Sequence, residues 1–439
     1  MKRTGKKLKY LPLAAVIFFT VSGGPYGLEP LLTYAGRNGA LLLLMIVPLL
    51  WDIPAILTVY ELNGMMPVNG GYYQWVKRAL GLRFAFYEGW WTWLYTFVDL
   101  AIYPVLFIEY ATFFFPEIAA YKIPVCLVII WSGAILNIRG IVPVGKASLL
   151  LSLIVLVPFL LLFGKAFFVY KGAMIALPQP SLKGIEFSSL GMAIYTIMWN
   201  FIGWDNASTY AEEVERPVRT YIVSTLIAFI GILIVYFLAL QTAGHSGIDL
   251  NFLKDNGFPY LGVQLGGQWL GTLLAIGGMA STVGLFFAVL LSVSRIPKAM
   301  ADDALLPAIV HAEHKKFKTP YISILICATI VSFMILFTFS DLVFIDVTLY
   351  GGGLLLEFIS LLALRIKAPD EKRPFKIPLN NWGIAIMILL PLSVLLIALI
   401  ASCTSGNGSH TPIVFALLAL VSPEIIWQLI KWYRKNENP

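Results

Sequence analysis

At 439 residues, 59% hydrophobic and only 13% charged, with a mean hydropathy of +0.82, the chain is too apolar for a water-soluble globule and reads as a polytopic membrane protein. A net charge of +7 does not point to nucleic acid, because no basic helix or aromatic platform outside the apolar segments accompanies it. Cys126, Cys327 and Cys403 each lie in an apolar run, which argues against a disulfide framework or a C-x-x-C metal site and for buried packing.

The first nine residues form a basic tail with Lys2, Arg3, Lys6, Lys7 and Lys9. It superficially resembles a signal-peptide n-region, but no small-residue cleavage site follows, so it is kept as part of the chain. Twelve runs of about 20 mostly apolar residues come next. They fall at approximately 10–36, 39–63, 84–115, 121–138, 141–164, 188–213, 217–243, 269–295, 319–338, 341–366, 382–402 and 411–431. The third is long enough to tilt or to project from a bilayer. The longest loop on the basic side, about Ile296 to Lys318, has room for a short helix.

Of the 31 Lys and Arg, only Arg37, Lys122, Lys165, Lys171, Lys183 and Lys254 fall on the side opposite the N-terminus. By the positive-inside rule both termini are cytoplasmic, in a plasma (inner) membrane, and the span count is even.

Span 1 is interrupted by Val21-Ser22-Gly23-Gly24-Pro25-Tyr26-Gly27-Leu28-Glu29-Pro30. Irregular backbone at apolar depth is tolerated only where it lines a cavity. Glycine leaves N–H groups uncovered, and Pro25 suits the first turn of a new helix, so the second half-helix is expected to present its positive end to an anionic group. Span 6 carries a second interruption, Trp199-Asn200-Phe201-Ile202-Gly203-Trp204-Asp205-Asn206. Carbonyls freed near Phe201 and Gly203 favour an ammonium, so the two breaks together fit a zwitterion.

Five spans separate the breaks, an odd number, so spans 1–5 and 6–10 form an inverted repeat, and paired interrupted helices mark a midplane transport site. The expected organisation is one all-α transmembrane domain over 1–439. It comprises a basic cytoplasmic tail at 1–9, a first repeat at 10–164, a second at 187–366, and two further spans within 382–431.

Acids inside spans are costly, which makes Asp99, Glu109, Asp205 and Glu357 functional candidates. Asp205 stands just beyond the second break and fits proton exchange, with helix capping as its bland alternative. Asp99 and Glu109 lie ten residues apart, roughly 15 Å along a helix, a spacing that suits two amines of an extended polyamine. Glu109 equally suits a solvated outer surface. Glu29 is placed about one turn into the second half-helix, as an amine contact, a gate residue or a charge stabilising the helix start. Asp52 and Glu61 fall towards the cytoplasmic half of span 2, where packing against water-filled or polar neighbours is as open a reading as function. His311 and His314 sit in a basic loop and read as solvated rather than metal-binding. Trp90, Trp91 and Trp93 read as interfacial or packing aromatics.

Several of these stretches are familiar. Ser22 to Pro30, Asn69-Gly70-Gly71-Tyr72, and Val98-Asp99 through Tyr103-Pro104-Val105-Leu106-Phe107 to Glu109-Tyr110 closely resemble plant-type polyamine uptake permeases. Trp204 to Thr209 with Glu212-Glu213-Val214, and Arg295 with Met300 to Pro307, look like the wider amino acid–polyamine–organocation superfamily. The resemblance implies the leucine-transporter fold, a 5+5 inverted repeat with two broken helices and two peripheral ones, working by alternating access. Trp199 to Gly203 is similar to the aromatic-plus-glycine break of bacterial arginine/agmatine antiporters. By that likeness the aromatic of this break gates the substrate, and Asp205 is the matching candidate for a proton sensor.

Three departures stand out. Some relatives carry a mid-span-5 lysine that replaces sodium, where this chain reads Ser152-Leu153-Ile154-Val155-Leu156. Ser281 and Thr282 in span 8 are weak evidence for a sodium site. Ile222 stands where relatives often have proline.

The expected substrate-binding set is therefore Ser22, Gly23, Gly24, Pro25, Glu29, Asp99, Tyr103, Trp199, Asn200, Phe201, Gly203 and Asp205. Asp205, Asp99 and Glu109 are the proton-coupling candidates. No metal site or cofactor is expected. The reading is a secondary active transporter for amino acids or polyamines, partnered by a small cationic or zwitterionic amine, protons and the lipid bilayer. A sodium-coupled or exchange-type amino acid permease is the alternative. A channel or a membrane enzyme is more distant, since no filter-like motif occurs and the four histidines enter no catalytic pairing.

Overall fold

The computed structural model describes residues 7–176, 179, 181–335, 339–403 and 411–437, with backbone alone at 339–342, 403, 411–413 and 433–437. Lys2, Arg3, Lys6, His410 and the Cys403 side chain lie outside the described residues. The described chain is helical, apart from one isolated backbone pairing of Leu8 with Val214.

Among the described residues nine stretches are long and apolar enough to cross a membrane. Three shorter apolar helices, Tyr10–Val21, Phe187–Trp199 and Tyr321–Met334, complete the twelve expected spans. Span 3 (Leu82–Ala111), span 5 (Ile141–Tyr170), span 7 (Pro217–His245), span 8 (Gln268–Val293) and span 10 (Phe339–Lys367) each form one continuous helix. Span 3 has 30 residues, about 45 Å at 1.5 Å per residue, more than the roughly 30 Å hydrocarbon layer requires.

Span 1 breaks as expected, but its second half begins later. Helix Tyr10–Val21 stops, Ser22 to Leu28 run irregularly, and helix Glu29–Leu50 follows with Pro30 in its first turn. Pro25 was expected there. It lies instead between Gly24 and Gly27, whose left-handed backbone bars a helix from starting until both are passed. Glu29 is thus the first helical residue, not one turn in. The same helix kinks at Gly36 (φ 61°, ψ 175°), which joins span 1 to span 2, and span 2 continues as Asp52–Met65. Span 6 is helical over Phe187–Trp199, irregular to Asp205, and resumes as a 3-10 turn over Asn206–Glu213.

Four short helices occupy connections: Gly71–Leu80, Leu250–Asn256, Phe258–Gly266 and Arg295–Asp302. The last begins the loop in which a short helix was expected.

Packing separates centre from rim. Span 3 packs against spans 8 and 10, and span 8 against span 5. The most apolar window of span 3 is 78% buried, against 22% for span 12, so span 3 runs through the core while span 12 is peripheral. On the outer faces, Leu150, Leu160 and Phe168 of span 5 and Ile386 and Leu389 of span 11 are exposed, an apolar surface suited to lipid. Cys126 and Cys327 are free and buried, as expected. Glu61, fully buried, pairs with Arg365 (2.5 Å) and Arg373 (3.2 Å). It therefore ties span 2 to span 10 and the segment after it, the structural alternative for this acid.

Candidate substrate site at two helix breaks

At Gly23, Gly24 and Gly27 the backbone takes φ of 65°, 103° and 86°, a region that side chains resist. Space is equally restrictive. A Cβ on Gly23 would approach Leu285 and Ser281 of span 8 to 2.7 Å, and one on Gly24 would approach Val155 of span 5 to 2.7 Å. The glycines let two other spans close onto the break.

Most N–H groups of this break are already bonded. Gly23 donates to Phe18 O (2.9 Å) and Leu28 to Pro25 O (3.0 Å). Gly24 donates to Ser22 Oγ (3.0 Å) and Gly27 to Glu29 Oε2 (2.7 Å). Glu29 Oε1 accepts from Tyr110 Oη and Phe258 N, each at 3.3 Å. The buried Glu29 carboxylate thus takes the anion position at the start of the second half-helix, where a substrate carboxylate was expected.

The second break faces the first. Gly203 (φ 98°) would bring a Cβ to 2.8 Å from Thr20 O of span 1. Tyr236 of span 7 places its hydroxyl 2.6 Å from Ser22 Oγ and 3.1 Å from Asn200 O, and Asn200 Nδ2 donates to Gly27 O at 3.4 Å. Ser281 Oγ donates to Gly23 O (2.5 Å). Beyond Gly203, Tyr350 of span 10 accepts from Gly203 N (3.2 Å) and donates to Asp205 Oδ1 (2.9 Å). Trp204 Nε1 donates to Asp52 Oδ1 (3.1 Å), and Tyr221 donates to Trp204 O.

At the end where spans 1 and 3 finish, a cavity of about 260 Å³ reaches down to Trp199. Glu29, Glu109 and Asp255 supply three acids to its lining against one base, Lys254, whose ammonium lies 5.3 Å from the Tyr34 ring centroid. Trp199 also borders a much smaller pocket of about 10 Å³ with Ser22, Tyr103, Asn200 and Ile202. Its ring is therefore a partition between the vestibule and the breaks. Asp99 accepts from Tyr103 Oη (2.5 Å) and is acted on by Trp199, while its Oδ1 is buried without a hydrogen-bond partner among the described residues. Asp346 of span 10 acts on Asp99 electrostatically, and neither of its fully buried oxygens has a hydrogen-bond partner. No basic side chain acts on either carboxyl group. This is an arrangement that attracts a cation.

The opposite end is shut. Leu8 pairs with Glu213 O and Glu215 N (3.0 and 2.9 Å), Gly70 N donates to Thr209 O (2.8 Å), and Asn69 Nδ2 donates to Glu212 (3.2 Å). Arg295 pairs with Glu213 (3.4 Å), and Asp303 takes Tyr73 Oη (2.7 Å) and Lys77 (2.5 Å). Burial and the Asp303 carboxylate push the Tyr73 phenol up, so it stays a donor.

Most candidate residues converge: Ser22, Gly23, Gly24, Asn200 and Gly203 form the break contacts, Asp99, Tyr103 and Trp199 the partition, and Glu29 and Glu109 the vestibule. Glu109 is exposed there, as its solvated reading had it. Pro25 is buried inside the irregular segment. Phe201 is fully buried with its ring 5.2 Å from that of Tyr236, which makes it a packing residue. Asp205 lies on the shut side of the break, away from the vestibule lining. Sequence reasoning passed over Asp346, although an acid within Phe344 to Tyr350 carries the same signal as Asp99. It also passed over Tyr236 and Tyr350, whose hydroxyls nothing in the sequence distinguishes from buried aromatics.

Residues 8–422 match the amino acid permease family. The chain is 32% identical to Polyamine transporter RMV1 of Arabidopsis thaliana over 97% of its own length and 86% of that protein's. It is 31% identical to Polyamine transporter PUT1 of Oryza sativa subsp. japonica, over 100% and 82% respectively. More distantly, it is 23% identical to an Arginine/ornithine antiporter of Latilactobacillus sakei, over 77% and 74%. With twelve apolar helices around two facing breaks, and similarity that runs almost end to end, the chain belongs to the amino acid permease family of the amino acid–polyamine–organocation superfamily, a family of membrane transporters.

Proposed function

We propose that this permease is a secondary active transporter of small cationic amines, polyamines foremost, coupled to protons and working by alternating access. Its N- and C-termini face the cytoplasm of a plasma (inner) membrane, and the form described above faces outward. Spans 1–5 (10–164) and 6–10 (187–366) act as the two inverted halves. An amine enters the acidic vestibule past Glu29 and Glu109, displaces the Trp199 partition and binds Asp99, with Tyr103, Ser22 and Asn200 around it.

One observation carries the preference for an amine without a carboxylate. The anion position of the first break is filled by Glu29, whereas the acids below Trp199 have no basic partner. The polyamine transporters among the relatives support the same substrate class. Proton coupling is favoured over sodium because the spans bury several acids, Asp99, Asp205, Asp346 and Glu357, whereas the two hydroxyls of Ser281 and Thr282 are a weak hard-cation site.

The test is uptake of labelled putrescine into proteoliposomes under an imposed pH or sodium gradient. Accumulation driven by the pH gradient alone is the expected result. Accumulation that needs sodium contradicts the coupling. An exchange-type amino acid permease is the second reading, favoured by the antiporter relative. It predicts uptake only into vesicles preloaded with substrate.

A further inference from the structure

We propose that Glu88 of span 3 and Glu357 of span 10 join Asp205 in a three-carboxyl cluster that stores the coupling proton and releases it on the cytoplasmic side. The inference rests on the proton-coupled reading above and extends it from one acid to a site built by three spans.

Spans 3 and 10 pack side by side. On span 10, Tyr350, Gly353 and Glu357 recur at helical spacing on one face, as do Glu88, Thr92 and Tyr95 on span 3. Gly353 makes the meeting possible, for a Cβ there would stand 3.0 Å from Glu88 Oε1. Tyr350, on the same face of span 10 as Glu357, donates to Asp205 Oδ1 at 2.9 Å, and Asp205 and Glu357 act on each other electrostatically. Glu88 acts electrostatically on Glu357, and Asp205 acts on Glu88.

The surroundings supply no counter-charge. The three acids are 1–3% exposed. The groups facing them are Tyr72 of the helix Gly71–Leu80, Thr92 and Tyr95 of span 3, Tyr221 of span 7, Tyr350 of span 10, and Asp52 of span 2 through Trp204. Among the described residues no Lys, Arg or His acts on any of the three carboxyl groups. The nearby guanidiniums are engaged elsewhere, Arg295 with Glu213 and Arg365 with Glu61. Glu88 Oε2, Glu357 Oε2 and the buried Tyr95 hydroxyl have no hydrogen-bond partner. Like-charged carboxyl groups confined together hold protons rather than ionise in concert.

Release is a simple transfer. When the closed end opens and water reaches the cluster, a carboxyl O–H passes its proton to water, leaving a carboxylate and a hydronium ion. Outward return of the emptied cluster reloads it.

The test compares wild type with Glu88→Gln, Glu357→Gln and the double variant in proteoliposomes, following labelled putrescine uptake and internal pH together. Wild type is expected to show proton movement with uptake and a rate that varies about tenfold or more between mildly acidic and neutral pH. Each glutamine variant is expected to flatten that pH profile and to lower proton movement per putrescine at least about threefold, with the double variant lower still. Infrared difference spectra of the purified protein give a readout independent of turnover, in which the protonated-carboxyl band of wild type shrinks in both variants. A wild-type pH profile and an unchanged band in the variants would overturn the cluster. Wild-type putrescine uptake without any proton movement would also overturn it while leaving transport standing. No wild-type uptake of putrescine, spermidine or arginine would sink the transport reading itself.

Discussion

Tyr103 Oη donates to the buried Asp99 carboxyl group at 2.5 Å, and Trp199 of span 6, the partition below the vestibule, acts on the same group across spans 6 and 3. On the route proposed above, an arriving ammonium competes with Trp199 for that carboxyl group, and binding would loosen the ring. Gate and binding group are one element, which separates their variants in a measurable way.

Asp99→Asn keeps the shape and the hydrogen bonds but removes the charge. Charge-assisted hydrogen bonds contribute about 1.5–3 kcal/mol, so putrescine kcat/KM is expected to fall about 10- to 100-fold. Tyr103→Phe, which removes one donor to the same carboxylate, should cost about tenfold or less. Uptake kinetics over a range of putrescine concentrations check both. Equal kinetics for Asp99→Asn and wild type would remove Asp99 from the site.

Trp199→Phe retains a ring and loses the indole donor. The partition then loses its action on Asp99, and leak of a small amine down its gradient, measured as efflux from preloaded vesicles, should rise while coupled accumulation falls. Trp199→Leu should exaggerate both effects.

Gly203→Ala places a Cβ 2.8 Å from Thr20 O at a φ of 98°. Backbone cannot yield as a flexible side chain does, and strain of this kind costs about 1–3 kcal/mol. A lowered thermal midpoint in detergent and loss of uptake are expected, whereas Gly231→Ala, on the open face of span 7 where nothing lies within 4 Å, should match wild type.

Glu61→Ala leaves Arg365 and Arg373 buried without their anion. Breaking a buried pair by removing one partner costs about 3–5 kcal/mol, so this variant should be among the least thermostable. A midpoint equal to wild type would contradict the structural role of Glu61.

What was legible in the sequence follows from what is local. Each span is written in its own hydropathy, and each break in its own Gly and Pro residues, so 141–164, 217–243 and 382–402 recur closely as Ile141–Tyr170, Pro217–His245 and Asn381–Cys403. The convergence of Asp99, Trp199 and Ser22 was also within reach, because acids and breaks at apolar depth need cavities. The start of the second half-helix was not. Pro25 and Pro30 both fit a first turn, and only the left-handed Gly27 between them decides. Nor could the sequence show that Glu29 folds back onto Gly27 N, since that depends on Tyr110 and Phe258 closing around it. Glu88, beside a run of tryptophans at the start of span 3, looks interfacial until Gly353 and Glu357 are brought against it.

The central claim is that the site takes amines lacking a carboxylate, because Glu29 already fills the anion position. Competition of labelled putrescine uptake by two matched pairs, agmatine against arginine and cadaverine against lysine, tests it most directly, since each pair differs only by that carboxylate. The account predicts that agmatine and cadaverine inhibit at least about tenfold more strongly than their amino acids. Stronger inhibition by arginine and lysine would contradict it.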